Sequence, residues 1–281
     1  MSEMNVNSAG PDYWNNDAGR QWVAQQELID ALFTSVTAAI FTEAAPRAAD
    51  RVVDIGCGTG TTAFDLADRV GRHGSVLGID VSIPMLALAR RRAEQRAYTN
   101  VAFVEADATT YPFKNASADL VFSRFGVMFF EEPVKAFTNI RAGMTSAGRL
   151  AFVCFRPMIE CPWFRIPIEA AKPHLPPLPP VAPDAPGMFT FAKKERLQGI
   201  LSEAGYREIE IKPADVPINA GTVDRALAFM THVGPVNRML GVGSDKQRQT
   251  AIAAVRDALA ANIGPDGNAL TIAVWLVSGR A

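Results

Sequence analysis

The sequence predicts an α/β fold with a doubly wound, mostly parallel sheet. Three observations lead there. A β-branched run, Arg51-Val52-Val53-Asp54-Ile55, enters a loop with glycines at 56, 58 and 60 and then an Ala/Leu-bearing helical segment, 61–70. Strand, glycine turn and helix form the entry to an α/β nucleotide site, where glycine permits sharp turns and close backbone approach. A second strand, 75–80, ends in Asp80, a little over twenty residues beyond the loop. That position places a carboxylate on ribose hydroxyls. Strand-like and helical segments then alternate as far as Phe155.

The chain has 281 residues and a net charge of −1, with nearly half its residues apolar. That is ample for one large α/β domain with insertions. The near-neutral balance argues against a nucleic-acid partner. The densest basic run, Arg90-Arg91-Arg92 with Arg96, reads as a solvated helix face. Three cysteines (57, 154 and 161) lack metal-ligand spacing, so no metal is expected and a reducing compartment is implied. With no apolar signal region and no run long enough to span a bilayer, a cytoplasmic location and no membrane partner are expected.

Residues 1–11 are polar and expected to be mobile. Between Gly19 and Phe41, apolar residues at 22, 23, 28, 29, 32, 33, 36 and 40 follow helical spacing and predict one or two helices. Tyr13, Trp14 and Trp22 concentrate aromatics there, either stapling the helices to the sheet or covering a cationic ligand group. Residues 1–48 therefore read as an N-terminal helical lid.

From the first strand the chain continues through 75–80 to a helix with Pro84 in its first turn and Met85 and Leu86 on its apolar side. Ser82 reads as that helix's N-cap. Val101–Glu105 is the third strand and leads into Ala106-Asp107-Ala108. A carboxylate there can accept from an exocyclic amine, and a neighbouring amide can donate to a ring nitrogen. Residues 118–123 form the fourth strand, and the aromatic run Phe125 to Phe130 follows its carboxyl end. In open α/β sheets that end faces the ligand crevice.

A helix over 131–144, a turn at Ser146-Ala147-Gly148 and a strand over 150–155 complete the alternation. Residues 157–190 include Trp163 and the proline-rich run 173–180, which favours extended geometry. Further on are a helix over 193–204, a strand over 206–211, helices over 222–233 and 244–262, a turn at Pro265-Asp266-Gly267 and a last strand over 270–278. The insertions 157–190 and 215–265 read as a substrate cap on a domain spanning 49–281. His174 and His232 are weak candidates for a general base.

Asp54-Ile55-Gly56-Cys57-Gly58-Thr59-Gly60, with Asp80 and Glu105-Ala106-Asp107-Ala108, resembles the class I S-adenosylmethionine (SAM) methyltransferases. The similarity is strongest to the bacterial group of ubiquinone/menaquinone biosynthesis C-methyltransferases, and covers residues 50–156 in order and spacing. Ser-Ala-Gly stands where that family has Pro-Gly-Gly, and no Asn-Pro-Pro-Tyr segment follows the fourth strand. The resemblance implies a Rossmann-like sheet of seven strands, one antiparallel, with helices on both faces.

It also implies SAM as cofactor. Asp54 would meet its amino group, Gly56 and Gly58 its amino acid and ribose, and Asp80 and Val81 the ribose. Met85, Asp107 and Ala108 would bind the adenine, with Ser123 nearby. Tyr13, Trp22, Phe125, Met128 and Trp163 would line the acceptor pocket, implying C- or O-methylation of a small, largely apolar or aromatic molecule. Two alternatives stand. One is a SAM-binding protein without turnover. The other is an NAD(P)-dependent oxidoreductase, whose third fingerprint glycine is here Thr61.

Overall fold

The computed structural model describes residues 11–179, 185–264 and 268–281. The polar start at 1–10, the end of the proline-rich run at Pro180 and the turn at 265–267 lie outside the described residues. Seven strands form one sheet in the order β3-β2-β1-β4-β5-β7-β6. They are β1 (Arg51–Ile55), β2 (Ser75–Asp80), β3 (Val101–Glu105), β4 (Ala118–Arg124), β5 (Met144–Phe155), β6 (Arg207–Asn219) and β7 (Asn268–Arg280). β1 to β5 are parallel, and β7 runs antiparallel between β5 and β6. The order reverses direction between β1 and β4, which opens a crevice at their carboxyl ends.

Four helices precede the sheet: α1 (Pro11–Asn15), α2 (Asp17–Ala24), α3 (Gln26–Leu32) and α4 (Thr34–Ala44). The sequence predicts only one or two. The chain bends at Gln25 and Phe33, where φ is near −100° and ψ near +10°, without glycine or proline to mark the breaks. The bends let Ile29, Leu32, Val36 and Ile40 all reach the core, and α4 packs along β4 to β7.

Two helices follow the first two strands. In α5 (Thr61–Val70), Ala63, Phe64, Leu66, Ala67 and Val70 form the buried stripe. In α6 (Ile83–Gln95), the buried positions are 85, 86, 89, 92 and 93. Arg92 is thus on the buried face, 9% exposed, and the expected solvated run is corrected at this residue.

Helix α7 (Pro133–Ala142) is shorter than predicted because Pro133 sets its first turn. β5 begins at Met144, so the expected turn at 146–148 is strand, with a register shift against β4 between residues 118 and 120. Helix α9 (Lys194–Glu203) leads into β6, which extends to Asn219, well into the predicted insertion. β6 is the sheet edge, where Pro213 and Pro217 leave no inner ladder unpaired. The remaining helices are α8 (Pro162–Ala171), α10 (Val223–His232), α11 (Pro235–Gly241) and α12 (Asp245–Ala260). They pack on one another, and α10 also meets α3. No described helix is long and apolar enough to cross a membrane.

Candidate cofactor site at the carboxyl edge of the sheet

The loop after β1 turns through left-handed backbone at Gly56 (φ +67°), Gly58 (+54°) and Gly60 (+88°). The amides of Gly56 and Cys57 donate to Ile79 O of β2 at 2.8 and 3.2 Å. Gly56 lies directly on Gly126, which follows β4. A Cβ on Gly56 would stand 2.5 Å from Gly126 Cα, and one on Gly126 would stand 2.5 Å from Ile55 O. Both are backbone contacts that cannot yield, so glycine is needed on each side. In the sequence Gly126 is submerged in an apolar run; a glycine just past a strand end is the available signal.

Asp80 is held by the same loop. Gly58 N donates to its Oδ2 at 2.7 Å and Ser82 N to its Oδ1 at 2.8 Å. Burial pushes its carboxyl above the ordinary range, and these amides pull it back. Ser82 does not cap α6 through its side chain, contrary to expectation. Its hydroxyl donates to Trp14 O at 2.7 Å, while its amide donates to Asp80. Asn15 completes this clasp: its Nδ2 donates to Val81 O at 2.9 Å, and its Oδ1 accepts from Ile83 N at 2.8 Å. The N-terminal helices are thereby fastened to the loop that follows Asp80.

A cavity of about 270 Å³ opens beside these groups. Gly56, Gly58, Asp80, Val81, Met85, Asp107 and Ala108 all line it, as the sequence groups them. Trp22 and Phe125 line it too, with Trp14 and Phe129 from the same two aromatic stretches, and with Thr59, Thr62 and Arg124, which the sequence does not nominate as ligand contacts. Asp107 Oδ1 accepts from Thr109 N at 2.7 Å, which fixes the carboxyl on the rim. Phe125 adopts φ +67°, an uncommon conformation for a bulky residue, and stacks on Phe155 at 4.3 Å. Trp14 meets Trp22 and Phe129 edge-on at 5.9 and 5.0 Å, so one wall is aromatic.

Other candidates lie elsewhere. Asp54 is fully buried behind the lining. Its Oδ2 accepts from Thr62 Oγ1 at 2.7 Å, and its Oδ1 has no hydrogen-bond partner. Burial pushes this carboxyl up to about 7, against the lowering effects of Thr62 and Arg124. Ser123 ties strands together behind the cavity, donating to Ile55 O at 2.7 Å and accepting from Gly126 N at 3.1 Å. Met128 and Trp163 are core residues outside the lining, with the Trp163 ring 5.8 Å from Phe229. Tyr13 stands outside the lining, 41% exposed against Trp14.

Neither histidine reaches the cavity. His174 ends a short 3-10 turn, and exposed His232 places Nδ1 2.8 Å from Ala228 O. No His/Cys/Asp/Glu group among the described residues could hold a metal ion.

These residues fit SAM. The glycine loop offers backbone without Cβ atoms at Gly56 and Gly58, and Asp80 and Asp107 both line the one cavity. A buried carboxylate oxygen without a partner lies one layer behind, beside Thr62.

Comparison with known proteins agrees. The family model described as "Methyltransferase domain" matches residues 52–148. The chain is 37% identical over 107 residues to aklanonic acid methyltransferase DauC from Streptomyces sp. (strain C5), covering 38% of this chain and 49% of that one. It is 38% identical over 111 residues to demethylmenaquinone methyltransferase from Thermus thermophilus, covering 40% and 50%. It thus spans about half the length of these curated relatives. The fold is similar to Haemonchus contortus phosphoethanolamine N-methyltransferase 2 in complex with S-adenosyl-L-methionine. There the TM-score is 0.61 at 17% identity, covering 99% of this chain and 60% of that one. Over residues 52–148 the chain matches the methyltransferase-domain family, and its fold is that of the SAM-dependent methyltransferases it resembles.

Proposed function

We propose that the protein transfers a methyl group from SAM to carbon or oxygen of a small, largely apolar or aromatic acceptor. The observation that carries this reading is the composition of the cavity wall. Polar groups suited to a nucleoside (Asp80 and Asp107) line the same cavity as the aromatic side chains of Trp14, Trp22, Phe125 and Phe129. Two relatives have small-molecule acceptors in their names, aklanonic acid and demethylmenaquinone, which supports a small-molecule partner.

Bound SAM supplies an already electrophilic sulfonium methyl. The chain's own residues bind, orient and exclude water. Asp80 holds the ribose hydroxyls, with Val81 beside them, while Met85, Ala108 and Asp107 enclose the adenine. Asp54 acts on the amino-acid end through the Thr62 hydroxyl. Trp22 and Phe125 orient the acceptor, and positioning of this kind supplies roughly 7–11 kcal/mol of a barrier. The described part of residues 1–48, helices α1 to α4, serves as the lid over this cavity. Helices α8 and α10 to α12, from the segments 157–190 and 215–265, contribute no residue to the cavity lining, and as an acceptor cap they act through the N-terminal helices, which α10 meets.

A SAM-binding role without turnover is the second reading, favoured by the positions of His174 and His232 away from the cavity. Incubation with methyl-labelled SAM and a panel of quinols, phenols and aromatic acids separates the two. Label in an organic product is expected. SAM that binds and is recovered intact with every acceptor would favour the non-catalytic reading.

A further inference from the structure

One carboxylate from the N-terminal helices reaches the glycine loop from behind. Asp30, on α3, accepts at Oδ2 from Thr61 Oγ1 (2.7 Å), from Arg92 Nη2 (3.2 Å) and from Gln26 Nε2. Arg92, on α6, uses its other terminal nitrogen on the loop itself. Its Nη1 donates to Thr59 O at 2.7 Å and to Thr61 Oγ1 at 3.0 Å. These two threonines flank Gly60, and Thr59 lines the cavity. Asp30 Oδ1 also stands 3.9 Å from Arg124 Nη2, and Arg124 is part of the cavity wall. The side chains of Arg92 and Arg124 are each only 11% exposed.

Two largely desolvated guanidiniums therefore share Asp30 as an ion-pair partner, with Asp65 acting on both and Asp54 on Arg124 from beyond pairing distance. Removing one partner of such an arrangement leaves buried charge uncompensated, which costs far more than the pair contributes. Arg92 without Asp30 would be repelled by Arg124 and drawn toward water. The bond to Thr59 O would go with it, and the turn through Gly60 would lose the donor that braces it.

We infer that Asp30 is a positioning residue for the cofactor loop: its charge holds Arg92 on Thr59 and Thr61, so the N-terminal helices form part of the cofactor site as well as its cover. This rests on the SAM reading of the cavity. Asp30 and the loop belong to different segments of the sequence, and only the fold brings them together.

The test compares wild type with Asp30→Asn, Asp30→Glu and Thr61→Val. Calorimetry with S-adenosylhomocysteine (SAH) gives affinity, thermal unfolding gives stability, and amide hydrogen exchange of residues 57–62 in the free protein gives loop order. Asp30→Asn is expected to weaken SAH binding at least about tenfold and to speed loop exchange. Asp30→Glu should recover part of both, and Thr61→Val should fall between. A purely structural role for Asp30 would lower Tm and leave affinity and loop exchange unchanged, which would overturn the inference. If Asp30→Asn does not fold, Thr61→Val decides: unchanged affinity and exchange overturn the inference. Wild type that binds no SAH would sink the proposed function instead, and the exchange arm would still decide the role of Asp30.

Discussion

Replacing Asp54 by asparagine removes a carboxyl that the fold holds fully buried with one oxygen unpartnered. Burial raises its pKa from 3.8 to about 7, despite the Thr62 hydroxyl and the Arg124 charge. That difference corresponds to about 4 kcal/mol. The sign follows from proton counting. Between about pH 4 and pH 7 the native carboxyl keeps a proton that the unfolded chain has released, so this group's contribution to stability falls as pH rises and levels off above about 7.

The asparagine side chain has no such titration and resembles the protonated acid. The stability of Asp54→Asn relative to wild type should therefore climb by up to about 4 kcal/mol across that window, then stay level. Urea unfolding of both proteins at several pH values measures the difference directly, and other titrating groups cancel. A difference that is independent of pH would refute the reasoning. It would mean that solvent or a cation reaches Asp54 in the folded protein.

Two further outcomes follow from the packing. Gly126→Ala places a methyl 2.5 Å from Ile55 O and 2.7 Å from Gly56 Cα. It should destabilise the protein by about 2 kcal/mol or more and weaken SAH binding with it; a Tm within error of wild type would contradict that contact. Asn15→Ala removes the paired bonds to Val81 and Ile83. It should loosen the lid by about 1–3 kcal/mol, seen as faster amide exchange over residues 11–24, while exchange in β1 and β4 is unchanged.

The nucleotide half is legible in the sequence because its signals are local. β-Branched runs, alternate glycines and Asp80 at a strand end each declare themselves within a few residues, and the cavity collects most of the residues they nominate. The four N-terminal helices are not separable, because the bends at Gln25 and Phe33 are imposed by packing on the sheet and carry no breaker residue. Arg92 reads as solvated although its spacing from Met85 and Ala89 places it on the buried side of α6. Its partners, Asp30 and the Thr59 carbonyl, are distant in sequence, and no local rule finds them. Aromatic identity also fails to separate cavity from core. Phe125 lines the cavity while Met128 and Trp163 fill the interior, a distinction set by the left-handed turn at Phe125 and the burial of α8.

The central claim is that this cavity holds the SAM nucleoside through Asp80. Calorimetric titration with SAH, beside NADH, for wild type and Asp80→Ala tests it most directly. Asp80 now accepts the Gly58 and Ser82 amides and would also accept the ribose hydroxyls. Wild type should bind SAH and not NADH, and Asp80→Ala should lose about thirtyfold or more in affinity, about 2 kcal/mol. Failure of wild type to bind SAH, binding of NADH in its place, or SAH affinity unchanged in Asp80→Ala would contradict the account.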